Sequence, residues 1–271
     1  MEFMSGFIKI KKMKISKEYL EIIRAAKAGG KIVKKYFGKN LEVIGKTIPA
    51  DFKTKADIES EEVILKILSK KFPSYNIIAE ENGKIDKKSE YTFAIDPLDG
   101  TNNFVLGIPY FSVSIALLKG DEIIFGVVYN PVLNNIYFAE KGKGAYLNDK
   151  KIIVNEEADL KNSSISIVFG FKYQDNFERD FSNRLYKEKA KRVLFNWSFA
   201  LDAGYLSSGK YEAIYVKDIN LYDFAAGKLI AKEAGALITD ELGNPEENDR
   251  SQTFLISNGT KIHQEILKLI R

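Results

Sequence analysis

The residues of this chain best suited to chemistry lie in one short run, Asp96-Pro97-Leu98-Asp99-Gly100-Thr101. An apolar stretch ends there and two aspartates follow, with Pro97 and Leu98 between them. Pro97 fixes φ and stiffens the link, and Gly100 permits a turn that other residues resist. Both carboxylates and the Leu98 carbonyl can therefore be aimed at one point. An all-oxygen ligand set of this kind suits Mg2+ or Mn2+. The Gly100 and Thr101 amides, at the turn, could receive a phosphate as backbone nests do.

Three other acidic positions also stand at element ends. Glu80-Glu81 follows an apolar strand, Asp57 precedes a helix, and Asp223 opens another in Leu221-Tyr222-Asp223-Phe224-Ala225-Ala226-Gly227. Taken singly, Asp57 and Asp223 read as helix N-caps and Glu80-Glu81 as a solvated turn. Taken with the first run, they read as parts of one constellation.

Composition narrows the chemistry. The chain of 271 residues has no cysteine and one histidine. A thiol nucleophile, a disulfide framework and a zinc–thiolate site are thereby excluded. His263, expected to be exposed on a terminal helix beside Lys261, Gln264 and Glu265, cannot alone supply a multi-histidine metal site. Carboxylates, hydroxyls, lysines and arginines must do the work. The formal net charge of +4 is small. The basic cluster Lys9, Lys11, Lys12 and Lys14 lacks the arginines and aromatics of a nucleic-acid surface, so no nucleic-acid partner is expected. No apolar window is long enough for a membrane span, and no signal-peptide pattern opens the chain. A cytoplasmic protein without a membrane partner is the expectation.

The positioning elements follow from periodicity. Helices are predicted over 16–37, with Ser16 as N-cap and the small residues at 25–30 marking a close approach, and over 58–72. Strands are predicted at 75–79, 91–95, 111–118, 123–129, 136–139 and 144–147, with Lys119-Gly120-Asp121-Glu122 as a hairpin turn. Residues 1–154 thus read as an α+β domain. Beyond the polar segment Asn155–Asn162, strands at 163–169, 192–195, 211–216, 236–239 and 254–257 alternate with helices near 176–189, 198–208, 223–234 and 260–270. Residues 155–271 read as an α/β domain.

Asp-Pro-Leu-Asp-Gly-Thr-Asn-Asn-Phe at 96–104 resembles the signature of the inositol monophosphatase family. Leu-Tyr-Asp-Phe-Ala-Ala-Gly resembles that family's second signature, Ala79-Glu80-Glu81 its Gly-Glu-Glu, and Pro49 to Asp57 its segment ending in Thr-Asp. Order and spacing hold over nearly the whole chain. The resemblance, closest to archaeal-type inositol monophosphatase/fructose-1,6-bisphosphatase enzymes, implies a layered αβαβα sandwich, usually a homodimer. It implies a phosphatase that attacks small sugar or polyol phosphate monoesters directly with metal-activated water. Two Mg2+ ions, with a third weaker site and Mn2+ as substitute, would be held by Glu80, Asp96, the Leu98 carbonyl, Asp99 and Asp223. Thr101 with Asp57, aided by Glu80, would orient the attacking water. Gly100, Thr101, Arg192, Ser198 and Asp223 would bind substrate.

The pocket departs from the family pattern. Asn196-Trp197-Ser198-Phe199-Ala200 stands where a Gly-Ser/Thr-Ala-Ala segment is usual, and Val216 stands where a glutamate contacts inositol, with Lys217 or Asp218 as substitutes. Core packing is the expected role of Trp197 and Phe199; stacking a nucleobase, as in a nucleotide 3′-phosphatase, is the alternative. Lys172, Arg179, Arg184, Lys191 and Arg192 could meet a second phosphate. A non-catalytic metal- or phosphate-binding member is the alternative outside enzymology. Haloacid dehalogenase-type phosphatases, with Asp-x-Asp-Gly-Thr, separate their aspartates by one residue. Two separate them here, so the second cannot take the same acid/base position.

Overall fold

The computed structural model describes residues 15–46, 51–170, 176–246 and 249–271. The basic cluster at Lys9–Lys14, together with Pro49, Ala50 and Lys172, lies outside them. In chain order the elements are α1 (Leu20–Tyr36), β1 (Val43–Gly45), β2 (Phe52–Thr54), α2 (Lys55–Lys71), β3 (Asn76–Ala79), β4 (Gly83–Ile85), β5 (Tyr91–Asp99), α3 (Thr101–Val105), β6 (Ser112–Lys119), β7 (Glu122–Asn130), β8 (Asn135–Glu140), β9 (Ala145–Leu147) and β10 (Lys150–Ile152). There follow β11 (Ser164–Phe169), α4 (Phe177–Lys187), β12 (Arg192–Leu194), α5 (Phe199–Ser207), β13 (Ala213–Lys217), α6 (Leu221–Glu233), β14 (Leu237–Thr239), β15 (Phe254–Ser257) and α7 (Ile262–Ile270).

Two sheets carry the architecture. The larger runs β10-β9-β8-β7-β6-β5-β3-β4, the smaller β12-β11-β13-β15-β14. Every pairing in the larger sheet is antiparallel except β3 with β5. The smaller sheet is mixed: β12, β11 and β13 run parallel, and β15 lies antiparallel to both its neighbours, β13 and β14.

Alternation along the strands decides the layers. On β6, Val113, Ile115 and Leu117 turn toward α1 and α2, whereas Ala116 and Leu118 turn toward α5 and α6. On β13, Ile214 and Val216 meet α5 and α6 from the opposite side, whereas Ala213 and Tyr215 face α4 and α7. The order α1/α2, large sheet, α5/α6, small sheet, α4/α7 is the αβαβα sandwich.

The central helices sit close. A Cβ on Gly126 of β7 would fall 2.8 Å from the Ala226 carbonyl oxygen of α6, and one on Gly227 would fall 2.7 Å from Ala203 Cβ of α5. The small residues of α1 act likewise: a Cβ on Gly29 would meet Ile64 Cδ1 and Ser60 Oγ of α2 at 2.7 Å.

Some expectations need correction. Helix α2 starts at Lys55, and Asp57 is not its N-cap: Thr54 Oγ1 accepts from the Ala56 N–H, and Asp57 closes a capping box from the third helical position. Asp223 holds the same position in α6, behind the N-cap Asn220. Ser16 makes no side-chain cap; its hydroxyl and N–H both donate to Glu140, at 2.8 and 2.7 Å. His263 is buried rather than exposed, its Nε2 2.9 Å from Thr239 Oγ1 and its Nδ1 2.8 Å from Ser257 Oγ. Burial lowers its pKa to about 4.

Candidate active site

Strand β5 does not stop at Ile95. It runs to Asp99, and its register against β6 shifts between Asp96 and Asp99. Pro97, which cannot donate to a ladder, falls inside that irregularity. The shift lets both aspartates enter the same cavity instead of alternating faces. On the parallel neighbour β3, Ala79 pairs with Ile95, and the Glu80 N–H continues to the Ile95 carbonyl at 3.2 Å. That register sets Glu80 alongside Asp96. Asp223 approaches from the start of α6, where one carboxylate oxygen accepts from the Asn220 N–H at 2.8 Å. Glu80, Asp96, Leu98, Asp99, Gly100, Thr101 and Asp223 all line one cavity of about 430 Å3.

Crowding of carboxylates dominates the electrostatics. Burial first, then Glu80, Asp99 and Asp223, pushes the Asp96 pKa well above the usual carboxylate range. Burial, Glu80 and Asp99 do the same to Asp223. Asp99 is raised to about 7 by burial and by Asp202, against the hydrogen bonds it receives from the Ser198 hydroxyl, the Ala200 N–H and the Ser112 hydroxyl. Glu80 is raised to about 7 by burial, against the Lys46 ammonium 2.7 Å away. Lys46 also reaches Glu81 at 2.7 Å, and Lys53 reaches the other Glu81 oxygen at 2.8 Å.

Such a set fits a hard divalent cation. The donors are carboxylates and one carbonyl, partly or fully buried, and each raises the proton affinity of the next. Among the described residues no three acidic side chains stand arranged as a finished metal cage. Glu80 is turned to Lys46 and one oxygen of Asp99 to Ser198, so closing around an ion would exchange those partners.

Thr101 opens the short α3 behind Gly100, whose φ is +91°. A Cβ on Gly100 would lie 2.9 Å from the Tyr110 carbonyl oxygen, so space as well as conformation demands glycine there. The Thr101 hydroxyl is within bonding distance of Asp57 Oδ1, at 3.0 Å, and of the Leu98 carbonyl, at 2.9 Å. Asp57 is buried and does not line the cavity. Its Oδ2 accepts from the Thr54 N–H and hydroxyl, at 2.8 and 2.7 Å, and burial lifts its pKa to about 6.

The remaining expected site residues divide. Ser198 is buried and bonded to Asp99, so it reaches the cavity through that carboxylate. Arg192 is exposed on the edge strand β12 and does not line the cavity; neither do Arg179, Arg184 or Lys191. Of the two substitutes for Val216, Asp218 lines the cavity, whereas Lys217 lies over the Phe177 ring. Phe199 is core, packed at 6.1 Å against Phe254. Trp197 is not core: it is 53% exposed at the cavity wall.

Several supporting residues escaped the sequence reading. From α2, Ser60 donates to the Pro97 carbonyl at 2.9 Å. Glu61, fully buried, accepts from the Glu81 N–H at 2.9 Å and the Asn82 N–H at 2.8 Å. Glu61 stands one turn after Asp57 on the same helix face, a spacing that could have marked it. Asn103, inside the 96–104 signature, and Asp202 hold the segment around Trp197, and Asp202 carries no such signal.

A family model described as the inositol monophosphatase family matches residues 16–271. A fructose-1,6-bisphosphatase/inositol-1-monophosphatase from Thermotoga maritima is 38% identical over 92% of this chain and 93% of its own. A protein named Nus factor SuhB from Pasteurella multocida is 35% identical over 92% and 94%. The crystal structure of the extragenic suppressor protein suhB from Bartonella henselae superposes with a TM-score of 0.88 at 30% identity, covering 94% of this chain and 99% of that one. With these matches over the fold, and with the signature residues gathered around one cavity, the chain belongs to the inositol monophosphatase family and is a phosphoric monoester hydrolase.

Proposed function

We propose that the protein is an Mg2+-dependent phosphatase acting on small sugar or polyol phosphate monoesters, with inositol 1-phosphate and fructose 1,6-bisphosphate as the first substrates to test. The observation that carries this reading is the gathering of Glu80, Asp96, Asp99 and Asp223 around one cavity beside the Gly100–Thr101 turn. These carboxylates and the Leu98 carbonyl would hold the metal. When bound, Mg2+ offsets the charge of a phosphate dianion and makes water a stronger acid.

The chain's own residues do the rest. The turn at Gly100 presents backbone N–H groups for the phosphate oxygens. Thr101, anchored by Asp57, holds its hydroxyl where a water could be oriented for attack. Asp57, with its pKa near 6, is suited to take and return a proton through that hydroxyl near neutral pH. Neither a cysteine nor a histidine stands in the cavity lining, in accord with attack by water rather than by a side chain. The resemblance also carries a homodimer, which sedimentation velocity would check.

The test is phosphate release from inositol 1-phosphate, fructose 1,6-bisphosphate and adenosine 3′,5′-bisphosphate in parallel, with Mg2+ and with Asp96→Asn as blank. Turnover of either of the first two supports the proposal. Preference for the nucleotide would make this a nucleotide 3′-phosphatase. Release from none would point to an ester outside these three or to the non-catalytic reading.

A further inference from the structure

Trp197 combines features that rarely coincide. It is a bulky residue in the left-handed backbone region, with φ +56°. It is 53% exposed, so packing does not offset that strain. Its place is nevertheless tightly specified. On one side, the Asn196 carbonyl accepts from Asn103 Nδ2 at 2.7 Å, and Asn196 Nδ2 donates to the buried Asp202 at 2.8 Å. Asp202 is held in turn by Ser166 at 2.6 Å and by the Tyr110 hydroxyl. On the other side, the Ala200 N–H donates to Asp99 at 3.1 Å, next to the Ser198 hydroxyl. The backbone around the indole is thus tied to the helix that follows the phosphate turn and to a carboxylate of the site.

Strain of this kind persists where surrounding structure over-determines it, and it gathers at ligand sites. Trp197 and its neighbour Phe195, 39% exposed, line the cavity together with Glu178 and Asp218. An aromatic face with carboxylate acceptors in the same cavity matches a neutral, hydroxylated ring. The negative face of the indole attracts the ring's C–H edges, and the carboxylates accept its hydroxyls.

We infer that Trp197 is the specificity-determining residue of this site: its indole forms the wall against which the ring of a polyol or sugar monophosphate stacks while the phosphate lies at Gly100–Thr101. The inference rests on the phosphatase reading and names the part of the substrate that reading leaves open.

Trp197→Gly and Trp197→Phe, assayed with inositol 1-phosphate and with the acyclic glycerol 2-phosphate, test it. For the ring ester, Trp197→Gly should raise KM about three- to tenfold, the span that one aromatic contact supplies. KM for the acyclic ester should stay within about twofold, and Trp197→Phe should recover most of the loss. Because glycine accepts the left-handed region, Trp197→Gly should melt no lower than the parent, unlike a variant of a structural residue. Trp197 is the chain's one tryptophan. Its fluorescence in the Thr101→Ala protein with Mg2+ should therefore shift on titration with inositol 1-phosphate and not with glycerol 2-phosphate. An active wild type with equal KM changes for both esters, or with unmoved fluorescence at saturation, overturns this inference alone. A wild type that releases phosphate from no ester overturns it together with the phosphatase reading.

Discussion

The Thr101 hydroxyl lies 3.0 Å from Asp57 Oδ1, joining the first turn of α3 to the first turn of α2. The other Asp57 oxygen is committed to capping α2 through Thr54. One carboxylate therefore begins a helix and fixes the direction of a hydroxyl at the site. Thr101→Ala should lower kcat by about 10²–10⁴-fold, the range of a lost proton-handling group, and leave the Mg2+ half-saturation concentration within about threefold. Thr101→Ser should retain much of the activity. A metal constant that moves more than kcat would assign Thr101 to metal binding.

Asp96→Asn should abolish measurable turnover and leave the fold intact. Asp96 stands among Glu80, Asp99 and Asp223, and its neutralisation removes mutual repulsion from the metal-free protein. The melting temperature without Mg2+ should therefore hold or rise, while the stabilisation by added Mg2+ shrinks. Thermal scans with and without the metal read both effects.

Glu61 should act on metal binding without touching a metal. It fixes the Glu81 and Asn82 amides, and hence the turn that carries Glu80. Glu61→Ala should raise the Mn2+ dissociation constant about 10- to 100-fold, as loss of a supporting shell does. Glu61→Gln, which puts an NH2 group against those N–H donors, should recover only part. Calorimetric titration of folded protein measures the constant; an unchanged value would confine Glu61 to stability.

His263 should make the protein sensitive to mild acid. Its neutral ring is bonded to Thr239 and Ser257, and its pKa falls from 6.5 to about 4 on folding. The unfolded chain therefore binds the proton first as pH drops. Its contribution to stability is fully present above pH 6.5 and is lost between about 6.5 and 4, on the order of 3 kcal/mol in all. His263→Gln should be less stable than the parent at pH 8 and should lose this part of the slope. Parallel pH-dependent slopes for the two proteins would contradict the assignment.

Gly126→Ala should destabilise strongly, because its Cβ would meet backbone atoms of Ala226 rather than a movable side chain. A loss of about 1–3 kcal/mol or more is expected, read as a fall in melting temperature. A shift under one degree would mean that α6 can move away from β7 freely.

Much of this was legible in the sequence because it is local. Apolar runs ending in Asp96 and Glu80, Asp57 at the start of a helix, and strand alternation on β6 and β13 need only neighbouring residues. What escaped depends on elements distant in sequence. His263 looks exposed beside Lys261 and Glu265, and only β14 and β15 bring Thr239 and Ser257 over its ring. Glu61 sits in an ordinary acidic stretch until the Glu80–Asn82 turn arrives. Trp197 and Phe199, two residues apart, share one expectation from sequence, yet a left-handed residue between β12 and α5 sends one to the surface and the other to the core.

The sharing of α5 and α6 between both sheets has a consequence in time. A ribosome releases the strands of the large sheet well before it releases α6, which covers the inner face of that sheet. At about 5–20 residues per second the uncovered face, with Ala94, Ala116, Leu118 and Val128, must wait several seconds for its partner. During synthesis that surface is open to chaperones and to neighbouring nascent chains, so the yield of soluble protein should depend on the speed of translation between β10 and α6.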